Sequence, residues 1–255
     1  MKLLTGGFTQ LSTVDYPDHV ASVLYLCGCP YSCPFCQNFE LLDEEDCAEV
    51  ETDAIIGRMV ENLPLVDSIC ITGGEPLIQL EPLLDLLKKL KENGMSVKLD
   101  TNGFYPDRLR RVLEAGLVDY LAMDIKAPLD PEKYGNVASR KDGKKVVENV
   151  KESLGVTSRS GVAFEPRTTI VPTLIDDKED LSAIAKSLKG YGFNFYVLQQ
   201  FCPDNGCLDK EFEEIEAPKR DHLYRLGLEI KDIIPNIWIR TMENGQEKVG
   251  ASPCL

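Results

Sequence analysis

Three cysteines lie within eight residues of one another, in the run Cys29-Pro30-Tyr31-Ser32-Cys33-Pro34-Phe35-Cys36. A loop with that spacing wraps three thiolates around a common centre, and thiolates select zinc or iron-sulfur clusters. A structural zinc site closes with four ligands, normally from a second Cys or His pair at similar spacing. No such pair follows, since the two histidines, His19 and His222, are isolated. Three sulfurs instead leave one iron of a 4Fe-4S cluster open to another ligand.

Further polar groups recur after short apolar runs: Gly73-Gly74-Glu75-Pro76, then Asp100-Thr101-Asn102-Gly103, then Asp124-Ile125-Lys126, and later Arg167. Each group stands where a strand ends. The apolar pattern predicts strands at 23–27, 68–72, 96–100, 120–124, 167–171 and 195–199, with helices at 53–62, 80–93, 107–115, 144–154 and 177–188. Asn93-Gly94 and Ala115-Gly116 supply glycine caps to two of those helices. Mainly apolar strands joined by helical crossovers want a parallel sheet covered by helices, either doubly wound or curled toward a barrel. In both arrangements the ligand site lies at the carboxyl ends of the strands, where these polar groups fall.

With 255 residues and 43% apolar content, one domain is expected over the whole chain, with a core at about 20–200 and an extension at 201–255. The longest apolar-rich run, 20–27, already contains Ser22, too short for a membrane span. The first residues lack the apolar segment of a secretory signal, so a cytoplasmic protein is expected. Nine cysteines in a reducing compartment argue for cluster ligation rather than a disulfide framework. A formal net charge of −14 disfavours nucleic acid as a partner. No internal repeat interrupts the pattern, although the acidic stretch 208–219 reads as an exposed excursion.

The Cys-x3-Cys-x2-Cys loop with Phe35 before its last cysteine, followed by Gly73-Gly74-Glu75-Pro76, resembles the radical S-adenosylmethionine (SAM) superfamily. That resemblance implies an α/β fold, an incomplete (β/α)6 barrel with a parallel sheet and outer helices. It also implies a 4Fe-4S cluster on Cys29, Cys33 and Cys36, with SAM chelating the open iron. One electron then releases methionine and a 5′-deoxyadenosyl radical. Gly73 and Gly74 would let the backbone approach the methionyl group, with Glu75 and the exposed backbone accepting from its ammonium and Pro76 closing the motif. Taken alone, a glycine pair after a strand is an ordinary turn. Phe35 matches an adenine-contacting aromatic, with a core phenylalanine as the alternative.

The run 99–103, then 123–126, then 167–172, is similar to the activases of glycyl radical enzymes. In that family the position of Lys126 reaches the SAM carboxylate. Asp100 and Asp124, beside Thr101 and Asn102, match positions that hold a monovalent cation, and Arg167 stands with them. Salt bridges from Asp124 to Lys126, or from Asp100 to Arg167, are the plainer reading of these charges. Gly6-Gly7-Phe8, Asp15-Tyr16-Pro17 and the run 196–201 resemble the activating proteins of anaerobic ribonucleoside-triphosphate reductase. A glycyl radical enzyme would then be the partner, and flavodoxin or ferredoxin the low-potential electron donor. Radical SAM modification of a peptide or small molecule is the alternative, and a noncatalytic iron-sulfur or zinc protein a third. Cys47 and Cys70 read as small buried hydrophobes. Cys27, Cys202 and Cys207 fall near the expected rim, as an auxiliary cluster, a redox pair or a substrate-facing thiol, and Cys254 follows near the terminus.

Overall fold

A computed structural model describes residues 1–61 and 65–251, so Cys254 lies outside the described residues. One 10-stranded sheet runs through the molecule, with strands β1 (Lys2–Ser12), β2 (Ala21–Leu26), β3 (Ala48–Glu51), β4 (Ser68–Gly73), β5 (Ser96–Thr101), β6 (Tyr120–Asp124), β7 (Ala163–Ile170), β8 (Phe195–Gln200), β9 (Asn236–Thr241) and β10 (Gly245–Lys248). Helices α1 (Thr52–Glu61), α2 (Leu80–Glu92), α3 (Pro106–Glu114), α4 (Pro131–Val137), α5 (Gly143–Ser160), α6 (Lys178–Gly190) and α7 (Arg220–Ile230) fill the connections.

From β2 through β9, leaving out β3, each strand pairs in parallel with the one before it. Adding every new strand at the same edge through a helical crossover keeps the helices on one face and curls the sheet toward a barrel. Its two ends, β3 and β10, are not paired with each other, so the barrel stays open. The parallel run holds one strand more than the sequence pattern predicts, because β9 extends it beyond β8. Antiparallel β1, β3 and β10 also escaped that pattern, as did α4 and α7.

Period-two alternation sorts the strands into two faces. On β5, Val97 and Leu99 join the apolar core, together with Ile69 and Ile71 of β4 and Leu83, Leu86, Leu87 and Leu90 of α2. Each buried leucine contributes roughly 1.5–3 kcal/mol of transfer free energy. Lys98 and Asp100 alternate onto the opposite face, which carries charge. Strand β7 begins earlier than expected, at Ala163, with Pro166 inside it. Its register to β6 covers Ala163 to Arg167, whereas pairing with β8 starts only at Arg167, so the missing Pro166 N–H falls outside the β8 ladder.

Cys27 and Cys47 form a disulfide across a separation of 20 residues, enclosing the whole cysteine loop. This corrects the reading of Cys47 as a free buried thiol, and it pairs Cys27 with Cys47 rather than with Cys202 or Cys207. The antiparallel pairing of β1 with both β2 and β3 brings the strand ends that carry these cysteines together, with a Cα separation of 6.5 Å. Among the described residues no helix is long and apolar enough to cross a membrane.

Candidate active site

The site begins where β2 stops. Gly28 takes a positive φ of 88°, its N–H donates to Leu41 O at 2.8 Å, and the chain turns into the cysteine loop. Within that loop Cys36 N donates to Cys33 O at 3.0 Å, and Ser32 N reaches Ala138 O at 3.2 Å. Cys29, Cys33 and Cys36 consequently line one cavity, with Phe35 beside them.

The ends of β4, β5, β6 and β7 converge on the same cavity. Gly73, Gly74, Pro76, Asp100, Thr101, Asn102, Asp124, Lys126 and Arg167 all line it. Asn102 Nδ2 lies 3.6 Å from Cys29 Sγ, which brings the two halves of the site into contact.

The charges form a chain through the wall. Arg167 is its centre: Nε donates to Asp124 Oδ1 at 2.5 Å and Nη2 to Asp100 Oδ2 at 3.1 Å. Lys126 Nζ donates to Asp124 Oδ2 at 2.9 Å, and Lys98 is paired with the other oxygen of Asp100. Burial pushes the Asp124 carboxyl up, but Arg167 and Lys126 outweigh it and hold the group well below the usual carboxylate range. Asp100 is lowered in the same way, by Arg167 and Lys98 against burial. Burial alone would lower the Lys126 ammonium, yet Asp124 and the nearby Cys33 thiol keep it above its ordinary value. The Arg167 guanidinium bridges the two carboxylates, Asp100 and Asp124, beside which a monovalent cation is expected.

The glycine motif is also built into the protein around it. A Cβ on Gly73 would stand 2.3 Å from Leu26 O, and one on Gly74 2.2 Å from Gly28 O. The glycines are therefore required by the backbone of β2 and the start of the cysteine loop, whether or not a ligand approaches. Glu75 is fully buried and does not line the cavity. Its carboxylate accepts from Leu77 N at 3.1 Å, Thr101 Oγ1 at 2.9 Å and Asn102 N at 2.7 Å. Glu75 thus caps the turn after β4 and pins the end of β5. Burial pushes its carboxyl up to about 7, against the opposing amides of Asn102 and Leu77.

The auxiliary cysteines do not converge. Cys27 is spent in the disulfide, Cys202 Sγ lies 3.7 Å from Gln200 O, and Cys207 is buried under the segment that follows β8. No three His, Cys, Asp or Glu side chains among the described residues are arranged to hold a single metal ion.

The cysteine half of the cavity suits a cluster and its ligand. Its three thiols are soft donors presented together. Burial pushes Cys29 up to about 12 and Cys33 up to about 11, while Lys126 pulls Cys33 the other way. A bound cationic centre would reverse that penalty. Tyr31 Oη and Gln37 Nε2, on two residues lining the same cavity, are buried without a hydrogen-bond partner.

The model of the radical SAM superfamily matches residues 23–196, from the start of the cysteine-bearing unit into β8. The chain belongs to the radical SAM superfamily, whose members use a 4Fe-4S cluster and SAM. A Methanocaldococcus jannaschii protein, provisionally named a glycyl-radical enzyme activating enzyme, is 35% identical over 242 residues, 95% of this chain and 98% of that one. The pyruvate formate-lyase-activating enzyme of Clostridium pasteurianum is 28% identical over 88% of this chain and 95% of its own. A 7-carboxy-7-deazaguanine synthase from Thermococcus kodakarensis is 29% identical over 64% of this chain and 68% of its own. Among solved structures, a radical SAM methyltransferase from Sphaerobacter thermophilus shares the fold at a TM-score of 0.64 and 14% identity, covering 90% of this chain and 68% of that one.

Proposed function

We propose that this enzyme cleaves SAM reductively in order to install a glycyl radical on a partner enzyme, in the cytoplasm. The observation that carries this reading is the end-to-end likeness to the Methanocaldococcus protein, 35% identity over 95% of the chain. Cys29, Cys33 and Cys36 would hold the cluster, which when loaded and reduced by a flavodoxin or ferredoxin supplies one electron to the SAM sulfonium and yields methionine and a 5′-deoxyadenosyl radical. Lys126 stands beside the cluster loop as the cation that receives the SAM carboxylate, its Nζ 6.0 Å from the Phe35 ring centroid. Asn102, lining the cavity beside Cys29, supplies a polar contact that orients the rest of the molecule. The charge chain below keeps Lys126 ionised and in place. A hydrogen atom taken from a glycine Cα gives 5′-deoxyadenosine and the glycyl radical, and the open edge of the barrel admits that glycine on an extended loop.

Anaerobic ribonucleotide reductase is the proposed partner class. Reduced, cluster-loaded enzyme is mixed with SAM and such a reductase, and an electron paramagnetic resonance doublet from a glycyl radical is the expected result. SAM cleavage without a doublet on any glycyl radical enzyme overturns the reading. The similarity to 7-carboxy-7-deazaguanine synthase favours a second reading, modification of a small molecule on the same machinery. In that case a modified small molecule accompanies SAM cleavage, and no protein radical forms.

A further inference from the structure

The superfamily match stops at residue 196, yet the chain returns to the cysteine loop after that point. Leu208 N donates to Cys36 O at 3.1 Å, and Asp209 N donates to Pro34 O at 2.9 Å. The Phe212 ring then packs on Phe35, centroids 6.5 Å apart at 47°. These contacts come from a segment folded on itself. Cys207 N donates to Glu213 Oε1 at 3.2 Å, and Asp209 caps the turn over Lys210–Glu214 through Glu211 N. Gly206 lets the segment turn, with a positive φ of +84° that side chains rarely adopt, and a Cβ there would crowd the Phe39 ring at 3.2 Å. Cys207, only 2% exposed, lies beneath.

We infer that residues 202–212 form a strap that positions the far end of the cysteine loop, with Phe212 a positioning residue for Phe35 and Cys36. Both backbone bonds go to carbonyls of the loop itself, on either side of Phe35. The strap therefore fixes where Cys36 Sγ and the Phe35 ring point without touching the ligands they serve. Because its grip is main chain to main chain, side-chain substitution weakens it through the features that shape it, among them the Gly206 turn, the Asp209 cap, the Glu213 carboxylate and the Phe212 ring. The inference rests on the radical SAM reading of the site and is independent of which partner receives the radical.

The test uses the full-length chain, first without iron. Alkylation of Cys36 and Cys207 is timed by mass spectrometry in wild type, Gly206→Ala, Phe212→Ala and Phe212→Tyr, with Leu223→Ala in buried α7 as a destabilised control. The same proteins, reconstituted with iron and sulfide, are then timed for iron loss to a ferrous chelator. The expected result is that Gly206→Ala and Phe212→Ala speed alkylation of both cysteines and iron loss roughly three- to tenfold. Phe212→Tyr should match wild type, and Leu223→Ala should lower the melting temperature without these changes. A Cys207 that opens while Cys36 and iron loss stay unchanged overturns the strap, as does a Cys207 that stays protected in both variants. Equal effects in Leu223→Ala reduce it to general destabilisation. A wild-type chain that binds no iron would remove the cofactor reading, and the alkylation rates would still decide the strap.

Discussion

The two walls of the cavity differ in how far each is complete without a ligand. On the strand-end wall, Asp100, Asp124, Arg167, Lys126 and Lys98 satisfy one another through the bonds centred on Arg167. On the loop wall, three thiols are held neutral by burial, and Tyr31 and Gln37 each bury a polar atom without a partner. Thiols that burial keeps neutral mark the wall where a cationic centre would change most, whereas a closed ion-pair network marks the wall that supports it. Charge in a pocket is thus a poor guide to contact with ligand unless its protein partners are counted first.

The largest expected effect belongs to the loop wall. Cys33→Ala should take bound iron from about four atoms per chain to near none and abolish SAM cleavage, read by iron analysis and 5′-deoxyadenosine production. Retained cleavage would reverse the assignment of the two walls. On the strand-end wall, Arg167→Leu leaves Asp100 and Asp124 facing each other and should destabilise the iron-free protein by about 3–5 kcal/mol in chemical denaturation. A loss below about 1 kcal/mol would show that the network is not self-sufficient.

Lys126 borders both walls, and it sharpens the contrast. Lys126→Ala should weaken SAM binding by about 1.5–3 kcal/mol while bound iron is unchanged, followed by SAM titration of the cluster spectrum. Glu75 tests the support alone. Its folded value of about 7 lies above the unfolded carboxyl, so the native state holds the extra proton and stability falls as pH rises from about 4.5 to 7. That component, roughly 3 kcal/mol, should be absent from Glu75→Gln, measured as the difference between the two denaturation profiles across that range. The smallest effect is expected from salt identity: with Arg167 bridging the carboxylates, exchanging potassium for sodium at fixed ionic strength should alter SAM affinity by less than about twofold. A strong preference for one cation would open the network that this structure closes.

Much of this site was legible because its chemistry is local in sequence. The cysteine spacing, the glycine pair and the polar strand ends all lie beside apolar runs of ordinary length. What escaped depends on distant partners. Strand β1 carries a glycine pair and buries few of its residues, so its pattern has no period to read. Cys27 and Cys47 meet only because β1 pairs on both sides. The Glu75 side chain could have been read as a cap, since Pro76 follows it at the first position of a helical turn. The salt bridges weighed for Asp100, Asp124, Lys126 and Arg167 are present, and they join into one network that pairwise reading leaves separate. In the acidic excursion, Phe212 and Ile215 were the signal that the segment packs against something, but its backbone bonds leave no mark in the sequence.

The disulfide gives the cysteine loop a property of a closed ring. Cys27 and Cys47 join its ends, and no lysine or arginine lies between them, so trypsin finds no bond to cut there. A protease that cuts after exposed Glu40 opens the backbone between the ligand cysteines and Cys47, yet both pieces stay covalently one molecule. The nicked chain keeps a single mass until a reductant parts it, and over that interval the ligand loop stays joined by peptide to Cys27 while sulfur alone holds the remainder of the chain to it.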